Sequence, residues 1–293
     1  MENNSDRNGR ALEFAIVDNL LKKISNSVPL NNTQSYQERD QNKFNELSDS
    51  QKIYFNTSAD SILSWLERKV DLNSQSISIE RMSDDSSKKG DVTDIRIIVS
   101  NNIINLSIKH NHLALKHQRP SALAIQCGFA KKSPEDSKYR HFYETTTKDF
   151  LNRSMLLKND AINFSDIIGV QPDFINKQLY NPVCNLVCNF LNTHVANSPR
   201  NAEHFFSFIK GTTDFYKINV SPKKIDIYEF ALLPPVTSLH AKIKGDSYVD
   251  VSFSNDWVIS MRLHTASSRI EGISLKFDSQ LLNMVVPKES IKI

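Results

Sequence analysis

The chain has 293 residues, 39% of them hydrophobic and 24% charged, with a net charge of +3. That is enough to bury a sizeable core, and ordinary for a globular protein. No stretch approaches the roughly 18–20 apolar residues that span a bilayer, and the amino-terminal MENNSDRNGR lacks the apolar core of a signal peptide. Three cysteines are too few for a disulfide framework and point to a reducing compartment, so a cytoplasmic protein is expected.

Along the chain, Leu12, Ala15, Ile16, Leu20 and Leu21 form a helical stripe that predicts an amphipathic helix over residues 9–24. Pro29 and the polar run 31–35 end that unit. A second helical zone covers 36–70, with Ile53, Ile62, Leu63 and Leu66 as its buried face, and alternation at Ile77 and Ile79 predicts a strand over 76–82. Two apolar runs, 94–100 and 103–110, then read as an antiparallel hairpin turning at Asn101-Asn102. A short helix over 118–130 has Pro120 in its first turn, where proline is tolerated. Residues 147–211 read as helical, broken near Pro172, Pro182 and Pro199. From 215 the period changes to strands, at 216–220, 225–230, 239–243, 248–253, 257–264 and 270–277. The expected organisation is a core at 1–132, a helical segment at 133–214 and a β-rich portion at 215–293.

Charge is distributed unevenly. Residues 107–132 hold five Lys or Arg, three His and no acid, a concentration that suits phosphate neutralisation. Asp91 and Asp94 lie ahead of the first hairpin strand, and Lys109 falls late on the second. Such an acid and lysine converge at one end of a sheet, and Ser107 and Lys109, two apart, share a face. Carboxylate and carbonyl oxygens there suit Mg²⁺, and a lysine near a water stabilises developing charge. Cys184 and Cys188, with His194 and His204 following, have zinc-like residue types, but the apolar residues around them predict buried thiols. No glycine-rich nucleotide loop is present.

The pattern of acid, short strand, turn and acid-x-Lys resembles the PD-(D/E)XK nuclease core, with Ser107-Ile108-Lys109 replacing the usual second acid by serine. The longer strings "GRALE", "KGDVTDI", "LSIKHNHLALKHQRP" and "MRLHTASSRIEGISLKFD" resemble the HaeIII family of type II restriction endonucleases. The resemblance implies an α/β fold, with a mixed sheet flanked by helices and a β-rich carboxyl-terminal portion. It also implies a Mg²⁺-dependent enzyme cutting double-stranded DNA at a GGCC-like site. A homodimer on a palindrome and a companion methyltransferase go with it. On this reading Asp94, Glu13, Asp91 and the Ile108 carbonyl are the candidate metal ligands, and Asp94 is favoured over Asp91. Lys109 polarises the attacking water, with Ser107 beside it. His110, Asn111, His112, Lys116, His117, Arg119, Arg262, His264 and Arg269 are the candidate DNA contacts. A repair nuclease of the same core and a catalytically silent DNA-binding module are the alternatives.

Overall fold

The computed structural model describes residues 4–73, 76–83, 91–111, 115, 117–231, 233–284 and 286–293. The chain divides into two compact units. One comprises Met1–Leu113, Thr212–Leu233 and Val286–Ile293, and the other Ala114–Gly211 and Pro234–Val285. These units cut across the boundaries expected at 132 and 214. The reason is a parallel strand pair, described below, which requires a long connection before the chain returns to the same sheet.

Among the described residues, the first unit is a seven-stranded mixed sheet with three helices. Its elements are α1 (Asn4–Lys23), β1 (Ser27–Pro29), α2 (Thr33–Asn45), α3 (Asp49–Lys69), β2 (Ile77–Arg81), β3 (Ile95–Val99), β4 (Asn102–His110), β5 (Tyr216–Ser221) and β6 (Lys224–Glu229), with the carboxyl-terminal strand Lys288–Lys292. The sheet order runs from β1 through β6 to that last strand. β1 and β2 are parallel, as are β4 and β5, and the other pairs are antiparallel. The helical zone at 36–70 is two helices because Ser48 caps α3 in a reciprocal capping box with Gln51. The hairpin turn falls one residue earlier than expected: Val99 pairs with Asn102, and Ser100 takes a φ of 55°. β1 and the last strand went unforeseen because each is short, polar or proline-bearing and lies at a sheet edge.

The strands β2 and β3 bury alternate residues. Ile77, Ile79, Ile95, Ile97, Leu106 and Ile108 join Leu12, Ile16, Phe55, Trp65 and Leu66 of α1 and α3 in one core. Each such side chain contributes about 1.5–3 kcal/mol on burial. The core therefore fixes α1 and the β3–β4 hairpin relative to one another.

The second unit holds an antiparallel sheet of β7 (Leu239–Lys244), β8 (Tyr248–Phe253), β9 (Val258–Thr265) and β10 (Leu275–Asn283), in the order β10-β9-β8-β7. Its longer helices are Pro134–Leu157, Asn181–Phe190 and Pro199–Lys210. The strand expected at 270–277 begins later, at Leu275. Gly272 turns the chain at a φ of 70°, and Ile270 is buried outside the ladder. No helix among the described residues is long and apolar enough to cross a membrane.

Candidate active site

β3 ends its pairing at Ile95, opposite Leu106. Asp94 therefore stands just beyond the ladder, its own N–H donating to the Leu106 carbonyl at 2.8 Å. One oxygen of its side chain, Oδ2, accepts from the Ile108 backbone N–H at 2.7 Å and from Lys109 Nζ at 3.2 Å. Ser107 Oγ lies 3.4 Å from the same oxygen. The hairpin thus closes on an acid and a lysine held together by the backbone between them. Burial works against the Lys109 charge, but the Asp94 and Glu13 carboxylates raise its pKa above the usual lysine value.

Glu13 reaches the site from α1 and is ion-paired with Arg81, at the end of β2. The Arg81 guanidinium also donates to Asp40 Oδ2 at 3.1 Å. Asp40, fully buried on α2, takes a second guanidinium from Arg39 through two contacts of 2.7 Å. Burial and the Asp94 charge push Glu13 up to about 7, against the opposing pull of Arg81 and Lys109. Neither Arg81 nor Asp40 was among the sequence candidates. Arg81 carried a legible signal, because it continues the buried parity of Ile77 and Ile79. Asp40 did not, since it lies with Thr33 and Gln37 on a polar helix face that happens to be buried.

Lys217 is a further addition. It pairs with Ser107 across the parallel β4–β5 ladder and is 2% exposed. Burial lowers its pKa to about 7, the Lys109 charge adds to that effect, and Asp94 opposes it.

Asp91 is placed differently from Asp94. Its carboxylate accepts from the Thr93 N–H at 3.0 Å, from Arg96 at 2.5 Å and from Thr213 at 3.3 Å. Arg96 in turn donates to Asn105 and faces Glu80. These contacts tie the loop before β3 to the sheet and leave Asp94, not Asp91, with Lys109. His110 packs on the rings of Tyr54 and Phe55 and approaches Asn111 Nδ2 at 3.1 Å. Asn111 adopts a φ of 61° and donates its N–H to Val220. His112 and Lys116 lie outside the described residues.

The remaining candidates belong to the second unit. Arg262 and His264 project from the same side of β9, with Arg262 exposed and in register with Asp278. Asp278 is approached by His117 Nδ1 and by His264 Nε2, each at 2.7 Å. The His264 approach lacks the alignment of a hydrogen bond. Arg119 donates to Ser274 Oγ at 2.8 Å, and Arg269 is exposed beside an isolated bridge to Asn163. Cys184 and Cys188 are buried thiols, as expected, and burial pushes Cys184 up to about 12.

Among the described residues, no group of three or more His, Cys, Asp or Glu is arranged to hold a metal. The donors around Asp94 nevertheless suit a hard cation. Asp94 and Glu13 supply carboxylate oxygens, and the Ile108 carbonyl leaves β4 along the edge that carries its N–H toward Asp94. Burial and the neighbouring Asp94 charge raise the pKa of Glu13, and a divalent cation between the two carboxylates would offset the second of these. The residues fit a two-carboxylate site.

Glu13 generates a pH prediction. An acid whose folded pKa lies above its unfolded value loses stability as pH rises from about 4.5 to about 7. The loss is on the order of 3 kcal/mol. Glu13→Gln removes that slope. Urea unfolding at about pH 5 and about pH 8 should therefore show the variant gaining on the wild type by about 2–3 kcal/mol. Parallel stability curves would show that Glu13 does not titrate in this range.

The sequence matches the HaeIII restriction endonuclease family over residues 9–233 and 221–285. The type II restriction enzyme HaeIII of Haemophilus aegyptius is 25% identical over 319 aligned residues, covering 97% of this chain and 96% of the relative. No solved structure matches the chain. The family match takes in α1, the β3–β4 hairpin, β5 and the second unit's sheet together, and on that match the chain belongs to the HaeIII restriction endonuclease family.

Proposed function

We propose that this type II site-specific deoxyribonuclease cuts double-stranded DNA at a short GGCC-like sequence with Mg²⁺, leaving 5′-phosphate and 3′-hydroxyl ends. The observation that carries the reading is the Asp94 carboxylate, joined to Lys109 Nζ and the Ile108 N–H at the open end of the hairpin. Asp94, Glu13 and the Ile108 carbonyl would hold the ion. When bound, it activates water and neutralises charge on the phosphorus.

The protein's own groups do the rest. Lys109, fixed by Asp94, orients and polarises the attacking water and stabilises charge as it develops in line with the leaving oxygen. Arg81 anchors Glu13 from behind, so that the carboxylate keeps its place without DNA. Ser107 leaves the site with one acid fewer than the usual pattern. Asp91 shapes the loop through Arg96.

DNA contact falls to His110, Asn111, His112, Lys116, His117, Arg119, Arg262, His264 and Arg269. Exposed Arg262, two residues from His264 on one strand face, suits a guanidinium fork on guanine O6 and N7. Cutting both strands of a palindrome favours a homodimer. A companion methyltransferase protecting host DNA and a cytoplasmic location complete the reading. Three free, buried cysteines agree with a reducing compartment.

Plasmid DNA incubated with and without Mg²⁺ should give discrete fragments only with the metal; a smear or a gel shift alone would sink the reading. Lys109→Ala should abolish cutting while DNA affinity stays within about tenfold, or about 1.4 kcal/mol. Asp94→Asn should lose cutting and be poorly rescued by excess metal. Asp91→Asn should cut more nearly as wild type, since its partners are Arg96 and the loop backbone. Near-normal cutting by Lys109→Ala removes the catalytic assignment.

Readout is tested separately. Arg262→Ala or Arg269→Ala should cost about 1–3 kcal/mol at the cognate site and much less on random duplex. An equal loss on both, with the salt slope reduced by about one unit, assigns that arginine to phosphate.

A further inference from the structure

The sheet of the second unit sends Ala241, Val251, Met261 and Phe277 into a core and alternate residues to its other side. On that outward side the ladder register lines up Lys244, Tyr248, Arg262 and Asp278 in one row across the four strands. The next row is Lys242, Asp250, Ser260 and Gln280. Neighbours across a ladder stand about 4.5–5.5 Å apart, so Asp278 is offered to Arg262 and Asp250 to Lys242. Neither pair forms. Asp250 accepts from the Ser260 hydroxyl, and Asp278 is approached by His117, His264 and Lys276. Lys242, Lys244 and Arg262 are exposed. Among the described residues they make no ion pair or hydrogen bond. A solvent-facing sheet gains by pairing opposite charges across its strands. This one forgoes two such pairs in register, which leaves its cations available to an anion from outside.

Resting on the DNA-cutting reading above, we propose that this side of the sheet grips the backbone of duplex DNA, with Lys242 and Lys244 on the edge strand β7 holding phosphates. Two residues apart on one strand, the lysines stand about 7 Å apart, which suits neighbouring phosphates of one DNA strand. An ammonium group is a compact point charge that binds phosphate without reading sequence. The two lysines therefore supply affinity and register, and discrimination between bases is left to Arg262 in the adjoining row.

The test is the salt dependence with which the full chain binds a fluorescent duplex of random sequence, measured by anisotropy without divalent metal so that no cutting intervenes. Lys242→Ala and Lys244→Ala should each lower the slope of log affinity against log salt by about one unit, and the double variant by about two. At low salt the double variant should bind roughly tenfold or more weakly. The factor should be the same on random DNA and on a GGCC-containing duplex, because phosphate contacts carry no sequence information. Lys244→Arg, which keeps the charge, should keep the slope. Lys148→Ala, which removes an exposed lysine from the helix Pro134–Leu157, should leave it unchanged. An unchanged slope in the double variant overturns the proposal, as does a loss confined to the GGCC duplex. An equal drop in slope for Lys148→Ala also overturns it, by assigning the effect to net charge. Plasmid cutting by the wild type, run in parallel, separates this surface from the nuclease reading. If the wild type cuts and the double variant keeps its slope, only the surface fails. If the slopes fall as expected but the wild type cuts nothing with Mg²⁺, the surface stands and the nuclease reading fails.

Discussion

The contact between the Asp94 carboxylate and the start of the Ile108–Lys109 peptide is the constraint on which the site depends. A single oxygen takes the Ile108 N–H and the Lys109 ammonium, and it does so only because β3 stops pairing two residues before β4 reaches Ile108. An interior strand would spend that N–H on its neighbour. Here the ladder's end leaves a backbone donor that a carboxylate satisfies, and the same local geometry delivers a lysine to the acid. Charge-assisted bonds of this type are roughly twice as strong as neutral ones, so a short hairpin suffices to hold the pair.

Behind this contact lies a second layer of charge. Glu13, Arg81, Asp40 and Arg39 alternate in sign across α1, β2 and α2. Burying such a network is weak evidence of stabilisation, because desolvation offsets much of the attraction. Its consequence is positional: Arg81 gives Glu13 one defined partner in a region where Asp94 repels it. The fold tolerates the cost because the apolar core of Leu12, Ile16, Ile79 and Ile97 flanks it.

The second unit places charge on one side of an antiparallel sheet. β9 buries Ile259, Met261 and Leu263 while Arg262 is exposed, so a strand that supports a core also displays polar side chains at two-residue spacing. Asp278 from β10 gathers His117 and His264.

The sequence alone settled what depends on short-range pattern. The helix of α1, the β3–β4 hairpin and the β-rich carboxyl-terminal portion follow from apolar periodicity, and the mixed sheet from the family resemblance. The family emerged from strings lying within those elements. Asp94 and Lys109 could be singled out from residue type and spacing along one hairpin, and Glu13 from the family resemblance; the structure brings the three together. Tertiary structure decided what depends on pairing between distant segments. It separated Asp94 from Asp91, because Arg96 claims the latter. It joined β5 to β4 across about a hundred intervening residues, and so brought Lys217 beside Ser107 and cut across the linear domain boundaries. It also enlisted Asp40 and the edge strands, whose local composition is polar. Periodicity reports which side of an element is buried, but not which other element buries it; that is fixed only by packing and ladder register, and these residues depend on both.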